Sequence, residues 1–164
     1  MSKIKHFLAP LVSLSIISAM VFVCSFILSS CDKTVENNII VRNGIQMTAV
    51  QEIQTPAVVS SATGVVNVQY DKKTHKLAYT ITWNNLTSDS VTGSHIHGVA
   101  SRGKNAAVVY PFTIPAIKSG TFSGVADVDG VKIKEDSLLL GYYYFNIHTN
   151  RYKSGEIRGQ IEFQ

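Results

Sequence analysis

Two cysteines are all that this chain of 164 residues contains, and both stand near its start, at Cys24 and Cys31. Beyond Cys31 there is no thiol to close a disulfide, hold a metal or attack a substrate, so whatever folds there is stabilised by core burial. The remaining ~120 residues can supply that, because a chain of such length hides well over half of its unfolded surface in a single core. One domain is expected. Clustered cations are missing too. The net charge of +4 includes Lys3 and Lys5, and no acidic residue precedes Asp32, so subtracting the two lysines leaves +2 from Cys31 onward. The later Lys and Arg residues are dispersed, with no aromatic stacking pattern between them, which excludes a nucleic-acid footprint. There is no Gly-x-Ser-x-Gly elbow and no evident Ser, His and acid set, so a serine hydrolase is excluded and no catalytic residue is assigned.

Charge is also absent from Phe7 to Ser30, directly after the cationic start at Lys3 and Lys5. That is the layout of an export signal. It ends in Leu28-Ser29-Ser30-Cys31, an aliphatic residue and two small ones before a cysteine, the lipobox pattern of bacterial lipoproteins. Residues 1–30 are therefore expected to be a lipoprotein signal peptide, Cys31 the lipidated first residue, 31–44 a tether and 45–164 the folded domain. The alternative is an uncleaved membrane anchor, since the apolar stretch is long enough to span a bilayer. Either arrangement holds the domain to a membrane in the cell envelope, outside the cytoplasm.

The rest reads as strands. Leu77, Tyr79, Ile81 and Trp83 alternate with Ala78, Thr80, Thr82 and Asn84, a period of two that puts one row in a core and the other toward water. Further strands are expected at Ile45 to Ile53, Thr63 to Tyr70, Thr92 to His97, Ala107 to Phe112, Gly120 to Val128, Tyr142 to Thr149 and Glu156 to Phe163. Strands so short and numerous, separated by Gly, Pro, Asn and Ser, indicate an all-β antiparallel fold, an immunoglobulin-like or Greek-key sandwich or a barrel. Helix is limited to one turn at Ser137 to Leu140, with Asp136 as N-cap and Gly141 as the left-handed stop. Trp83, Tyr79, Ile81 and Phe145 are expected to share the core.

Chemistry concentrates in Gly93-Ser-His-Ile-His-Gly98 and Tyr144-Phe-Asn-Ile-His148-Thr149. Residues two apart on a strand point to one face, so His95 and His97 project side by side. On the second segment Tyr142, Tyr144, Asn146 and His148 share one face, while Tyr143, Phe145 and Ile147 share the other. If the two strands are neighbours, His95, His97 and His148 converge, and three neutral imidazoles on a rigid sheet suit one zinc or copper ion with a position left open. The competing reading is that each histidine ties down a loop through ring N–H bonds to backbone carbonyls, with Asn146 and Thr149 as local partners. His75, in the polar connection Asp71 to Lys76, reads as solvated and lies outside this set.

These segments, with the closing Gly155-Glu-Ile-Arg-Gly-Gln-Ile161, resemble the CHRD domain, the module named after chordin. Its pattern is His-x-His-Gly followed by Tyr-x-Asn-x-His-Thr and Gly-Glu-Ile-Arg-Gly-Gln, and the likeness runs from about Ile45 to Phe163. The resemblance implies a non-enzymatic extracellular or envelope module whose loops bind a protein, a glycan or a metal. The second reading is a metal-dependent redox or Lewis-acid enzyme, since His-x-His on a strand is also a superoxide dismutase feature. No histidine lies between His97 and His148, so a two-metal site of that kind cannot be built.

Other motifs carry less. Glu156, Arg158 and Gln160 share a strand face and read as an exposed cross-strand ladder worth about 0.2 to 1 kcal/mol per pair. Gly155 and Gly159 fit a tight turn and a close backbone approach. Asp127-Val-Asp129-Gly130 lacks the further oxygen ligands of a calcium loop and reads as a hairpin turn. Asn85-Leu-Thr87 matches a glycosylation sequon but reads as a turn after Trp83.

Overall fold

The computed structural model describes residues 37–163. The export signal and Cys31 lie outside the described residues. Eight strands form one sheet: β1 (Ile39–Thr48), β2 (Thr63–Asp71), β3 (Lys76–Asn84), β4 (Val91–Gly98), β5 (Val108–Phe112), β6 (Gly120–Asp127), β7 (Tyr143–Thr149) and β8 (Ile157–Ile161). Their order is β5-β4-β7-β8-β1-β2-β3-β6 and every neighbouring pair runs antiparallel. The two edge strands face each other across a seam bridged by side chains. Phe112 of β5 stacks on Phe122 of β6 at 5.8 Å between ring centroids, and the Tyr110 hydroxyl donates to the Val125 carbonyl at 2.9 Å. The sheet is thus a nearly closed barrel, the second of the two arrangements that the strand pattern allowed.

The period of two decides which side of each strand enters the barrel. Leu77, Tyr79, Ile81 and Trp83 of β3 are buried, as are Val66, Val68 and Tyr70 of β2. Tyr143, Phe145 and Ile147 of β7 meet them from across the barrel, with Tyr79 and Phe145 rings 5.0 Å apart. The Trp83 indole N–H, which cannot be left dry without a partner, donates to the Ile117 carbonyl at 3.0 Å. The expected core quartet is therefore assembled as read.

Several strand ends shift by a residue or two, β8 among them at Ile157–Ile161 instead of Glu156 to Phe163, and larger differences fall at β1, the helix and the Asp129-Gly130 turn. β1 begins at Ile39 rather than Ile45, because Ile39 to Arg42 pair with Val68 to Asp71 before a bulge at Asn43 and Gly44; a single 3₁₀ turn at Ala49–Gln51 then ends the extended run. The helix α1 spans Glu135–Leu139, and its N-cap is Lys134, not Asp136. Tyr143 supplies what the cap side chain does not, its hydroxyl accepting from the Lys134 N–H at 2.9 Å, while Glu135 and Asp136 place negative charge in the first turn. Gly141 stops the helix as expected, at φ +78°. Asp129-Gly130 turns the chain without joining paired strands: Asp129 Oδ1 accepts from the N–H groups of Val131, Lys132 and Ile133, and the segment leads into α1. Among the described residues no helix is long and apolar enough to cross a membrane.

Because Trp83 is 1% exposed and belongs to the core cluster, Trp83→Ala is expected to cost about 3 to 5 kcal/mol. The chemical-denaturation midpoint reads this directly, and an unchanged midpoint would mean that the inward face of β3 is wrongly assigned.

Candidate metal centre

β4 and β7 are neighbours, and their register pairs Gly93 with His148, His95 with Asn146 and His97 with Tyr144. Directly opposed residues share a face. The outward face of this strand pair therefore carries His95, His97 and His148 together, with Asn146 and Tyr144 between and beside them. Glycine at position 93 makes this packing feasible, since a Cβ there would lie 2.7 Å from His95 Cε1. One ring nitrogen from each histidine lies within 4.8 Å of those of the other two, and His95 Nδ1 and His148 Nε2 are 3.1 Å apart. Tetrahedral zinc with bonds of about 2.0 to 2.1 Å places its donors about 3.3 Å apart, so the set needs to close by about 1.5 Å at its widest.

The hydrogen bonds also set the proton positions. His97 Nδ1 is 2.9 Å from the Ala106 carbonyl and His148 Nδ1 is 2.8 Å from the Lys153 carbonyl, so in each ring Nδ1–H donates and Nε2 keeps its lone pair. The loop-tying reading and the ligand reading are thus one arrangement: the carbonyl bond on one nitrogen aims the other. His97 Nε2 is buried and has no partner. Burial lowers all three histidine pKa values, that of His95 to about 4 with repulsion from His148 and His97 added, so the rings are neutral donors at pH 7.

This outer face is not left to solvent. Residues 49–62 and 99–107 fold over it, joined by the Asn105 amide donating to the Ile53 carbonyl at 2.8 Å and by Arg102 bonding Gln51 and Glu162. The expected exposed ladder is consequently overturned: Glu156, Arg158 and Gln160 are 0%, 1% and 1% exposed. Arg158 lies over the Tyr144 ring, 3.4 Å from its centroid, and donates to Asn105 Oδ1, the Lys104 carbonyl and Gln160 Oε1. Tyr144 in turn stacks on His97, 4.8 Å between centroids at 5°. Glu156 accepts from Ser60, the Thr87 N–H and hydroxyl, and Thr149, which ties the loops of Ser60 and Thr87 to the end of β7.

One participant was missed altogether from the sequence. Glu52 reaches in from the covering loop, accepts from Asn146 Nδ2 at 3.2 Å, and lines a cavity of about 290 Å³ with His97, Tyr144, Asn146 and Ser154. Burial raises its carboxyl to about 7, against the pull of Asn146 and Arg158. Gly155, at φ +128°, gives it room, because a Cβ there would strike Glu52 Oε1 and stand 2.6 Å from Asn146 Nδ2. No local pattern marks Glu52, whose role depends on a fold contact 94 residues away. Gly159 plays the expected part of close approach, its Cα facing Met47 Cγ and the Gln46 carbonyl of β1.

The family model for the CHRD domain matches residues 44–161, most of the chain. The chain belongs to the CHRD domain family. No curated protein and no solved structure matches it. The match runs from within β1 to the end of β8, so the histidine face, the covering loops and the segment from Gly155 to Gln160 all belong to the CHRD domain itself.

Glu52 makes the stability of this CHRD domain pH-dependent in a defined sense. Its folded pKa of about 7 is above the usual 4.5, so its contribution is fully present below pH 4.5 and lost as pH rises through 7. Glu52→Gln, which does not titrate, is expected to gain on the wild type by on the order of 1 to 3 kcal/mol between pH 4.5 and 8, measured with chelator present. A difference between the two proteins that is constant with pH would place Glu52 in water.

Proposed function

We propose that this CHRD domain is a non-enzymatic binding module held to a membrane in the cell envelope, and that its ligand is a single zinc or copper ion bound by His95, His97 and His148. The reading is carried by one observation, the convergence of three buried or half-buried imidazoles, two of which, His97 and His148, have their remote nitrogens fixed by backbone carbonyls. Three neutral nitrogen donors suit a borderline transition ion better than calcium or magnesium, which prefer oxygen. Three imidazoles alone leave the ion a fourth position, and the loops around the site face an extracellular protein or glycan partner.

Elemental analysis and titration calorimetry of the tag-free protein test the metal. One zinc or copper ion per chain is expected, with binding at least tenfold weaker in His97→Ala. Affinity is expected to hold at neutral pH and fall in acid, since a protonated imidazole has no lone pair to donate. Equal weak binding in both proteins would leave the histidines a purely structural role.

The tether is tested separately. Mass spectrometry of membrane-extracted protein is expected to find an acylated N-terminal Cys31, and Cys31→Ala is expected to remain unprocessed. An intact Met1 terminus in the wild type would refute it.

A further inference from the structure

Two buried polar atoms among the described residues have no hydrogen-bond partner, His97 Nε2 and Asn146 Oδ1. Leaving either dry is costly, since a buried polar atom without a partner gives up its hydration for nothing. Both residues border the same cavity of about 290 Å³. Asn146 is 2% exposed, pairs with His95 across β4 and β7, and precedes His148 by two residues on the same strand face. It therefore occupies the middle of the histidine face. Its orientation is set from behind, where Nδ2 donates to Glu52 Oε1 at 3.2 Å and leaves Oδ1 as the unpartnered end.

We infer that Asn146 Oδ1 is a fourth donor to the ion held by His95, His97 and His148, and that Glu52 is its positioning residue. This rests on the three-histidine reading and adds to it an oxygen donor and an outer carboxylate. The set is then three imidazoles and one amide oxygen, all neutral, so the ion keeps its full charge. Glu52 places a compensating carboxylate one hydrogen bond away, the role that outer carboxylates play behind histidine ligands. Gly155 is what lets the carboxylate reach the amide. Turned over, the same amide would donate Nδ2 to the His97 nitrogen, occupy its lone pair and offer the ion no oxygen, so the two orientations make opposite predictions.

The full-length, tag-free protein, its Asn146→Ala and Glu52→Gln variants and the double variant Asn146→Asp with Glu52→Gln, titrated with zinc and loaded with copper(II) for electron paramagnetic resonance, decide between them. Asn146→Ala is expected to bind zinc about 10- to 100-fold more weakly, and Glu52→Gln to lose up to about tenfold. The copper hyperfine pattern is expected to change in Asn146→Ala. Asn146→Asp made together with Glu52→Gln, which keeps an amide donor facing the new carboxylate, supplies an anionic oxygen of the same shape and is expected to bind at least tenfold more tightly than Glu52→Gln alone, and it carries the test should the alanine variant not fold. Wild-type affinity and an unchanged copper spectrum in Asn146→Ala, or no tightening in the double variant, would overturn the inference while leaving the three histidines in place. If the wild type takes up no stoichiometric ion, the histidine reading itself fails and the fourth donor with it.

Discussion

The constraint on which the rest of this domain depends is that β7 and β8 are buried on both faces. Inside the barrel that is ordinary hydrophobic packing of Phe145, Ile147, Ile157 and Ile161. Outside it, the buried row is Asn146, Glu156, Arg158 and Gln160, which are costly to dry unless paired. Residues 49–62 and 99–107 therefore supply a partner for nearly every polar atom they cover. Arg158 is the clearest case: among the described residues no carboxylate is in ion-pair contact with it, and the Tyr144 ring, two oxygens of the 99–107 loop and Gln160 take that place. Burial works against its charge, while Tyr144 and Glu52 favour it.

The same covering layer creates the site. The Ala106 carbonyl of that layer and the Lys153 carbonyl of the β7–β8 connection hold the Nδ1 hydrogens of His97 and His148, which turns the Nε2 atoms inward. Tyr144 links the two halves, with His97 on it as a flat stack and the Arg158 guanidinium over it. A small change in this layer is thus felt at the histidines without touching them. Glycines do the complementary work. Positions 93 and 155 have no side chain where the His95 ring and the Glu52 carboxylate must lie, so the motif glycines are spatial requirements of the site.

Much of the barrel could be read from local pattern. Alternation located β3 and its core face because every second side chain of a half-buried strand meets the same environment. It failed on Glu156, Arg158 and Gln160, since alternation separates two faces but does not say whether the second meets water or another layer. The early start of β1 escaped notice because Ile39 to Arg42 acquire their extended state by pairing with β2 and not from their own composition. The N-cap was misplaced because a tyrosine from β7, not a neighbouring side chain, satisfies the helix end.

By itself the sequence determined the class of the fold, the inward rows, the family and the side-by-side projection of His95 and His97, since all of these follow from a two-residue period and short motifs. Only the tertiary structure decided that His148 stands beside His95, that the polar row of β8 is buried, and that Glu52 joins Asn146. Those facts depend on which strand lies next to which and on how two loops fold over them. Register between distant segments is chosen by the packing of the whole barrel, so no short stretch of residues encodes it.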